Sequence, residues 1–424
     1  MQGGILMSQA SGGKRKLSLA AWIFIGMFAG IAAGIAFNML NMADFTTNYL
    51  KPFGTIYINL LKFLVVPVVL LSIANGVVSL KDLKRVGTIG GKTFLYYMIT
   101  TAIAVVIGLF FANVFKALNW FPKLETTDLV YEAKSSNLMQ TIVNIFPSNA
   151  LAPLVNADML PLIVSALFLG AGILSAGEHG KRIGQFVEDA YEVTMKILMM
   201  IIKISPFGVF FLMADVIAVN GAAIVGSLAL VILVAFIAYT VHVVVVYGFS
   251  VNFLSKMSPV TFFKGMAPAM ITAFTTTSSN ATLPLTIECS NNLGADPEVS
   301  SFVLPLGATI NMDGTAIYMG VTSVFIASCY GVDLSLSQMA TIVLTATLAS
   351  IGTAGVSGAG MIMLAMVLQS VNLPVAGIAL IAGVDKLFDM GRTTLNITGD
   401  ATCAIWISRL EKEKRGAPLP WAEK

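Results

Sequence analysis

Residues 17–40 run without one charged side chain behind the basic cluster Lys14-Arg15-Lys16, and comparable apolar stretches recur along the chain. A helix needs about 20 mostly apolar residues to cross the hydrocarbon of a bilayer. Only 11% of the residues are charged, too few to cover a watery surface, and the mean hydropathy is +0.85. Period-two alternation is absent, which argues against an outer-membrane barrel. The predicted class is an all-α polytopic membrane protein. No cleavage site follows the first apolar run, which predicts a retained first helix.

Spans are predicted at about 17–41, 53–80, 92–118, 138–176, 183–217, 222–254, 297–330 and 375–409. Two further stretches, 259–292 and 335–370, are apolar but broken. Lys and Arg concentrate on the cytoplasmic side of membrane helices. That rule puts Lys14-Arg15-Lys16 inside, then Lys81, Lys84, Arg85 and Lys92, then Lys181 and Arg182, then Lys256 and Lys264, and last Arg409, Lys412, Lys414 and Arg415. The linker Lys123 to Lys134, with Glu125, Asp128 and Glu132, falls outside. Eight crossings satisfy every cluster if each broken stretch enters and leaves on one side, as a re-entrant hairpin. Both termini are then cytoplasmic, with tails at 1–16 and 410–424, in an inner membrane.

The breaks have a physical cause. Thr275 to Asn280 are six consecutive polar residues, whose side chains compete with the helix for backbone hydrogen bonds. Gly352 to Gly360 holds four glycines in nine residues. Irregular backbone survives at membrane depth only where protein or a watery cavity meets its polar groups. A third break, Gly307-Ala308-Thr309-Ile310-Asn311-Met312-Asp313-Gly314-Thr315, interrupts the span at 297–330. By contrast, Gly26, Gly30 and Gly34 form a small-residue packing stripe. The first six spans carry few mid-segment charges, Lys62 excepted, and read as framework.

The last span carries the chemistry. Asp385, Asp389, Arg392, Asn396 and Asp400 point at about 0°, 40°, −20°, 20° and 60° around a helix, with Thr393 bordering that face. Four charges at this depth cost on the order of 10 kcal/mol on insertion scales, so the stripe must face partners or water. Lys386 is expected to point elsewhere, leaving three carboxylates to one arginine and a demand for a mobile cation. Unwound carbonyls beside Asn311 and Asp313 are hard oxygen ligands that suit sodium. Thr100 and Thr101, after Tyr97, are candidate additions. The planar fork of Arg392 fits a carboxylate, Asp389 an ammonium, and Thr393 with Asn396 a second carboxylate. That set describes an acidic α-amino acid, although a dicarboxylate using Arg392 alone stays open.

Other classes find little support. The net charge of +3 and scattered basic residues do not suggest nucleic-acid binding. Cys289, Cys329 and Cys403 read as buried thiols; His179 reads as a loop residue and His242 as a helix residue, too far apart for a metal centre. No serine–histidine, aspartyl-dyad or metal arrangement suggests an enzyme such as a membrane protease. A passive anion channel would not need two gates.

With these motifs the chain resembles the glutamate/aspartate–cation symporter family, which includes the excitatory amino-acid transporters. The resemblance is densest over 260–402. It rests on Thr276-Thr277-Ser278-Ser279-Asn280-Ala281-Thr282-Leu283-Pro284, on Asn311-Met312-Asp313-Gly314-Thr315, on the 350–360 tip and on the last-helix stripe. It implies a homotrimer, inverted repeats, and eight transmembrane helices with two re-entrant hairpins. A fixed scaffold (17–91 and 119–217) would face a mobile transport domain (92–118, 222–254, 259–292, 297–330, 335–370 and 375–409). It implies Arg392 on the side-chain carboxylate and Asp389 on the amino group, with Thr393, Asn396, Thr315, Ser278, Ser279 and the backbone of Val356 and Gly360 holding the remainder. Sodium sites would draw on Gly307, Asn311, Asn396 and Asp400; on Tyr97, Thr100, Thr101 and Asp313; and on Thr309, Ser350, Ile351 and Thr353.

The sequence departs from the family where Thr277 and Met390 occupy positions that usually supply another arginine. Met319 stands where potassium- and proton-coupled members carry a glutamate, so sodium coupling is expected before proton coupling. The expected function is sodium-coupled symport of aspartate or glutamate, the alternative a proton-coupled carrier of C4-dicarboxylates or acidic amino acids.

Overall fold

A computed structural model describes residues 19–79, 88–123, 143, 146–156, 158–351 and 358–421. Outside them lie Lys14, Arg15, Lys16, Lys81, Lys84, Arg85, most of the 123–134 linker, and Thr353 and Val356 of the glycine-rich tip. The described residues contain helices and no strand.

Numbering only helices of ten or more residues, the order is α1 (Leu19–Met39), α2 (Lys51–Ser79), α3 (Thr88–Ala117), α4 (Met159–Ser175), α5 (Gly177–Lys203), α6 (Ser205–Asn220) and α7 (Ala223–Val241). Then come α8 (Pro259–Thr276), α9 (Ser279–Asn292), α10 (Pro297–Ile310), α11 (Asp313–Cys329), α12 (Leu336–Ala349), α13 (Ala359–Ser370) and α14 (Asp385–Lys414). Among the described residues, four helical stretches are long and apolar enough to cross a bilayer: Ala21–Met39, Ala43–Val78, Ile89–Ala117 and Ile224–Leu254. The pair α5 and α6 makes a fifth if its 52° bend is read as one broken span. Phe28, Phe63, Phe110, Phe168 and Phe249 are exposed on the outside, as a lipid-facing surface requires.

Two predicted spans and one residue differ from the sequence reading. Residues 183–217 divide at Ile204, because Pro206 at the start of α6 is suited to open a helix and cannot continue one. Among the described residues of 138–176, the long helix is 159–175. His179 lies within α5, not in a loop.

Several helix pairs meet backbone to backbone at glycines. Gly26, Gly30 and Gly34 of α1 lie against Pro206, Phe210 and Ala214 of α6; a methyl on Gly30 would come within 2.7 Å of the Phe210 carbonyl oxygen. Gly108 of α3 meets Ile317 of α11 in the same way, at 2.7 Å from its carbonyl oxygen. The later half packs around α14, which is contacted by α8, α9, α10 and α11. At its far end the chain folds back: Trp421 donates from Nε1 to the Ser255 carbonyl at 3.0 Å, lies against Gly294, and has the Lys412 ammonium 5.4 Å from its ring.

The broken stretches form two close helix pairs. α8 and α9 pack together, joined through Thr277 in the left-handed conformation (φ 53°, ψ 35°) and Ser278, whose hydroxyl caps α9 by accepting from Ala281 N. α12, opened by a Ser335–Gln338 capping box, packs with α13. Between α10 and α11 the helix unwinds at Asn311 (ψ 96°) and Met312 (ψ 42°), where glycine and asparagine weaken it.

Candidate functional site

The predicted stripe on α14 is buried: Asp385, Asp389, Arg392, Asn396 and Asp400 are each at most 5% exposed. Helical periodicity put them on one face, and α10 and α11 cover that face with the unwound turn.

At one end, Arg392 is held by its own helix. Its Nε donates to Asp389 Oδ1 at 2.8 Å, while Nη1 and Nη2 reach Asp385 Oδ1 and Oδ2 at 3.2 and 3.3 Å. The guanidinium stacks 4.8 Å over the Tyr318 ring. Gly360 at the start of α13 presses on the guanidinium so closely that a methyl there would collide with Nη1. Thr393 Oγ1 donates to Asp389 Oδ1 at 3.5 Å. Thr315 and Ser279 are buried, but neither is shown touching Arg392.

Lys386 corrects the expected charge balance. It does not point away: its ammonium donates to Thr277 Oγ1 and stands 3.8 Å from Asp389 Oδ2. Two carboxylates, Asp385 and Asp389, therefore meet two cations, Lys386 and Arg392, and this end of the stripe sums to zero.

The surplus negative charge sits at the other end. Asp400 Oδ1 accepts from Asn311 Nδ2 at 2.9 Å, and the same nitrogen donates to the Asn396 carbonyl at 3.0 Å. Asn311 Oδ1 is buried with no hydrogen-bond partner. Gly307 lies beside Asp400 and the Tyr97 hydroxyl, which are too close to admit a side chain there. An orphaned amide oxygen, a carboxylate and an unwound backbone at one place fit a hard cation. Asn396 adds its main-chain carbonyl here, because its side-chain Oδ1 already accepts from Gly314 N at 2.8 Å.

Asp313 forms a second anionic point nearby. Its Oδ1 accepts from Thr101 at 2.6 Å; its Oδ2 accepts from Tyr247 at 2.7 Å and lies 3.2 Å from His242 Nε2. Thr100 turns back to the Tyr97 carbonyl instead. Thr309 and Ser350 likewise bond the carbonyls of Leu306 and Thr347 in their own chain neighbourhoods, and Ile351 is buried beside Ser350. The first expected ion group lies together among the described residues; of the second, Thr101 reaches Asp313 while Thr100 bonds the Tyr97 carbonyl and the Tyr97 hydroxyl the Val303 carbonyl; the third includes Thr353, outside the described residues.

His242 and Tyr247 escaped the sequence reading. They are five residues apart, which an α-helix would place about 140° apart. A π-helical turn spans 242–247, and its i→i+5 spacing turns both toward Asp313.

Comparison with known proteins agrees with this site. Residues 19–410 match the Sodium:dicarboxylate symporter family. A proton/sodium-glutamate symport protein of Geobacillus stearothermophilus is 35% identical, over 94% of this chain and 95% of that protein. The proton/glutamate-aspartate symporter of Escherichia coli K12 is 33% identical over 93% of each. A C4-dicarboxylate transport protein of Bacillus subtilis is 32% identical, over 86% of this chain and 88% of that protein. A buried, self-paired arginine, a separate group of buried carboxylates and these matches lead to one conclusion: the chain belongs to the Sodium:dicarboxylate symporter family and is a transporter rather than an enzyme.

Proposed function

We propose that this protein carries aspartate or glutamate across the inner membrane together with sodium, by alternating access. The observation that carries the reading is Arg392 beside Asp389 at 2.8 Å on one buried helix face, a guanidinium and a carboxylate fit for the two ends of an acidic amino acid. The solute's side-chain carboxylate exchanges with Asp385 on the Arg392 fork, and its ammonium takes Asp389. Thr393, Asn396, Thr315, Ser278, Ser279 and the backbone of Val356 and Gly360 complete the cradle. Relatives named for glutamate and aspartate favour this substrate class.

One sodium site draws on Gly307, Asn311, Asn396 and Asp400, another on Tyr97, Thr100, Thr101 and Asp313, and a third on Thr309, Ser350, Ile351 and Thr353. Coupling follows from charge: cations must offset Asp400 and Asp313 before the glycine-rich tip closes over an anion. The assembly in this reading is a homotrimer with eight spans, two re-entrant hairpins and both termini cytoplasmic.

Labelled aspartate uptake into proteoliposomes with imposed sodium, proton or potassium gradients tests this. Accumulation driven by sodium alone is expected. Uptake indifferent to replacing sodium by choline would refute it and favour proton-coupled carriage, of C4-dicarboxylates if succinate is preferred, as relatives named for those solutes suggest.

A further inference from the structure

The carboxylate assigned to a substrate ammonium already has an ammonium beside it. Lys386 is 10% exposed, its Nζ is 3.8 Å from Asp389 Oδ2, and it donates to Thr277 Oγ1. Asp389 keeps Arg392 Nε on its other oxygen at 2.8 Å. Thr277 is a fixed anchor. It is buried, left-handed at φ 53°, and its N–H donates to the Ala273 carbonyl at 2.8 Å. A β-branched residue rarely adopts that conformation, so the surrounding packing has to hold the turn in place. Asp385 and Lys386 also line a narrow crevice with Tyr57, Ser205 and Ile202 of the earlier helices.

We propose that Lys386 is an internal ammonium standing beside Asp389 in place of a substrate amino group, and that it decides which acidic solutes the site accepts; this rests on the reading of Arg392 and Asp389 above. An amino acid brings its own ammonium and displaces Lys386 from Asp389, which also loosens the hold on Thr277 and the α8–α9 turn. A four-carbon dicarboxylate brings none and leaves the Lys386–Asp389 pair standing while Arg392 exchanges Asp385 for the solute. Asp389 then keeps a countercharge in Lys386 without an incoming ammonium. Lys386 therefore widens selectivity toward dicarboxylates.

The experiment is competition of labelled aspartate uptake by succinate in proteoliposomes. Wild-type protein should show a succinate Ki within about a hundredfold of the aspartate KM. Lys386→Met keeps the length of the side chain and removes its charge, and should raise the succinate-to-aspartate ratio about tenfold or more. Lys386→Arg should hold that ratio within about threefold. Thr277→Val keeps the branched shape, removes the acceptor, and should shift the ratio in the same direction by severalfold. It carries the test should Lys386→Met not assemble. Wild-type uptake blind to succinate at about a thousandfold excess, or an unchanged ratio in Lys386→Met, overturns the proposal. Wild-type protein that takes up no aspartate at all would instead sink the substrate reading on which it rests.

Discussion

The two ends of the α14 stripe solve the same problem in opposite ways. At the Asp385–Arg392 end, buried charges are met by opposite charges from the same helix. At the Asp400 end and around Asp313, buried carboxylates are met by amide, hydroxyl and imidazole groups, with the Asn311 oxygen left over. A balanced pole takes a ligand by exchange, trading an internal partner for an external one. A pole served by dipoles has charge to spare and takes ligands by addition. In the proposed function the solute takes the first kind of pole and sodium the second.

Removing a charge from the balanced pole should have the largest effect. Arg392→Ala leaves Asp385 and Asp389 buried without their main countercharge, which costs about 3–5 kcal/mol. Aspartate uptake should vanish and thermal unfolding should move down; retained aspartate affinity in the purified variant removes Arg392 from its role. Asp400→Asn tests the other pole. Sodium should be needed at about tenfold higher concentration or more for half-maximal uptake, since one charge of the cation site is gone. An unaltered sodium dependence would merge the two poles into one.

Changes away from both poles sharpen the contrast by leaving sodium dependence alone. Gly30→Val forces the α1–α6 contact apart and should lower stability by about 1–3 kcal/mol, read as a fall in melting temperature. Trp421→Ala empties the seat under Ser255 and Gly294, for a loss of about 1–3 kcal/mol by the same measurement. The smallest effect is expected at Lys116–Asp333, a 2.6 Å pair with Asp333 94% exposed, where Lys116→Gln should cost about 0.2–1 kcal/mol. Lys116, by its hydrogen bond and charge, holds the Asp333 carboxyl below its usual range. That small contribution is full above the ordinary carboxylate value of about 3.9 and fades only as pH falls through the lowered one. Melting between pH 5 and 8 should therefore not report it, and a pH-dependent difference there would contradict the assignment.

The sequence made some of this plain and hid the rest for physical reasons. Periodicity of 100° per residue exposed the Asp385-to-Asp400 face, and the Gly307-to-Gly314 composition exposed the unwinding at Asn311. Lys386 stands three residues before Asp389, a spacing that makes helical neighbours, so their ion pair was within reach of the sequence; its bond to Thr277 was not. The lysine stem is long enough to swing round to Thr277, which a different helix supplies. His242 and Tyr247 were hidden by a local change of helical pitch. The bend at Ile204 was within reach, since Pro206 marks it.

The glycine contacts of α1 with α6 and of α3 with α11 have a mechanical consequence. Helices whose backbones mesh without an intervening methyl act like toothed racks: a shift of either member by a fraction of a turn drives a side chain into a carbonyl. Where the neighbour is the tip of a flexible side chain, as at Ile202 against Gly358 and Met213 against Gly383, a rotamer change can relieve the contact instead.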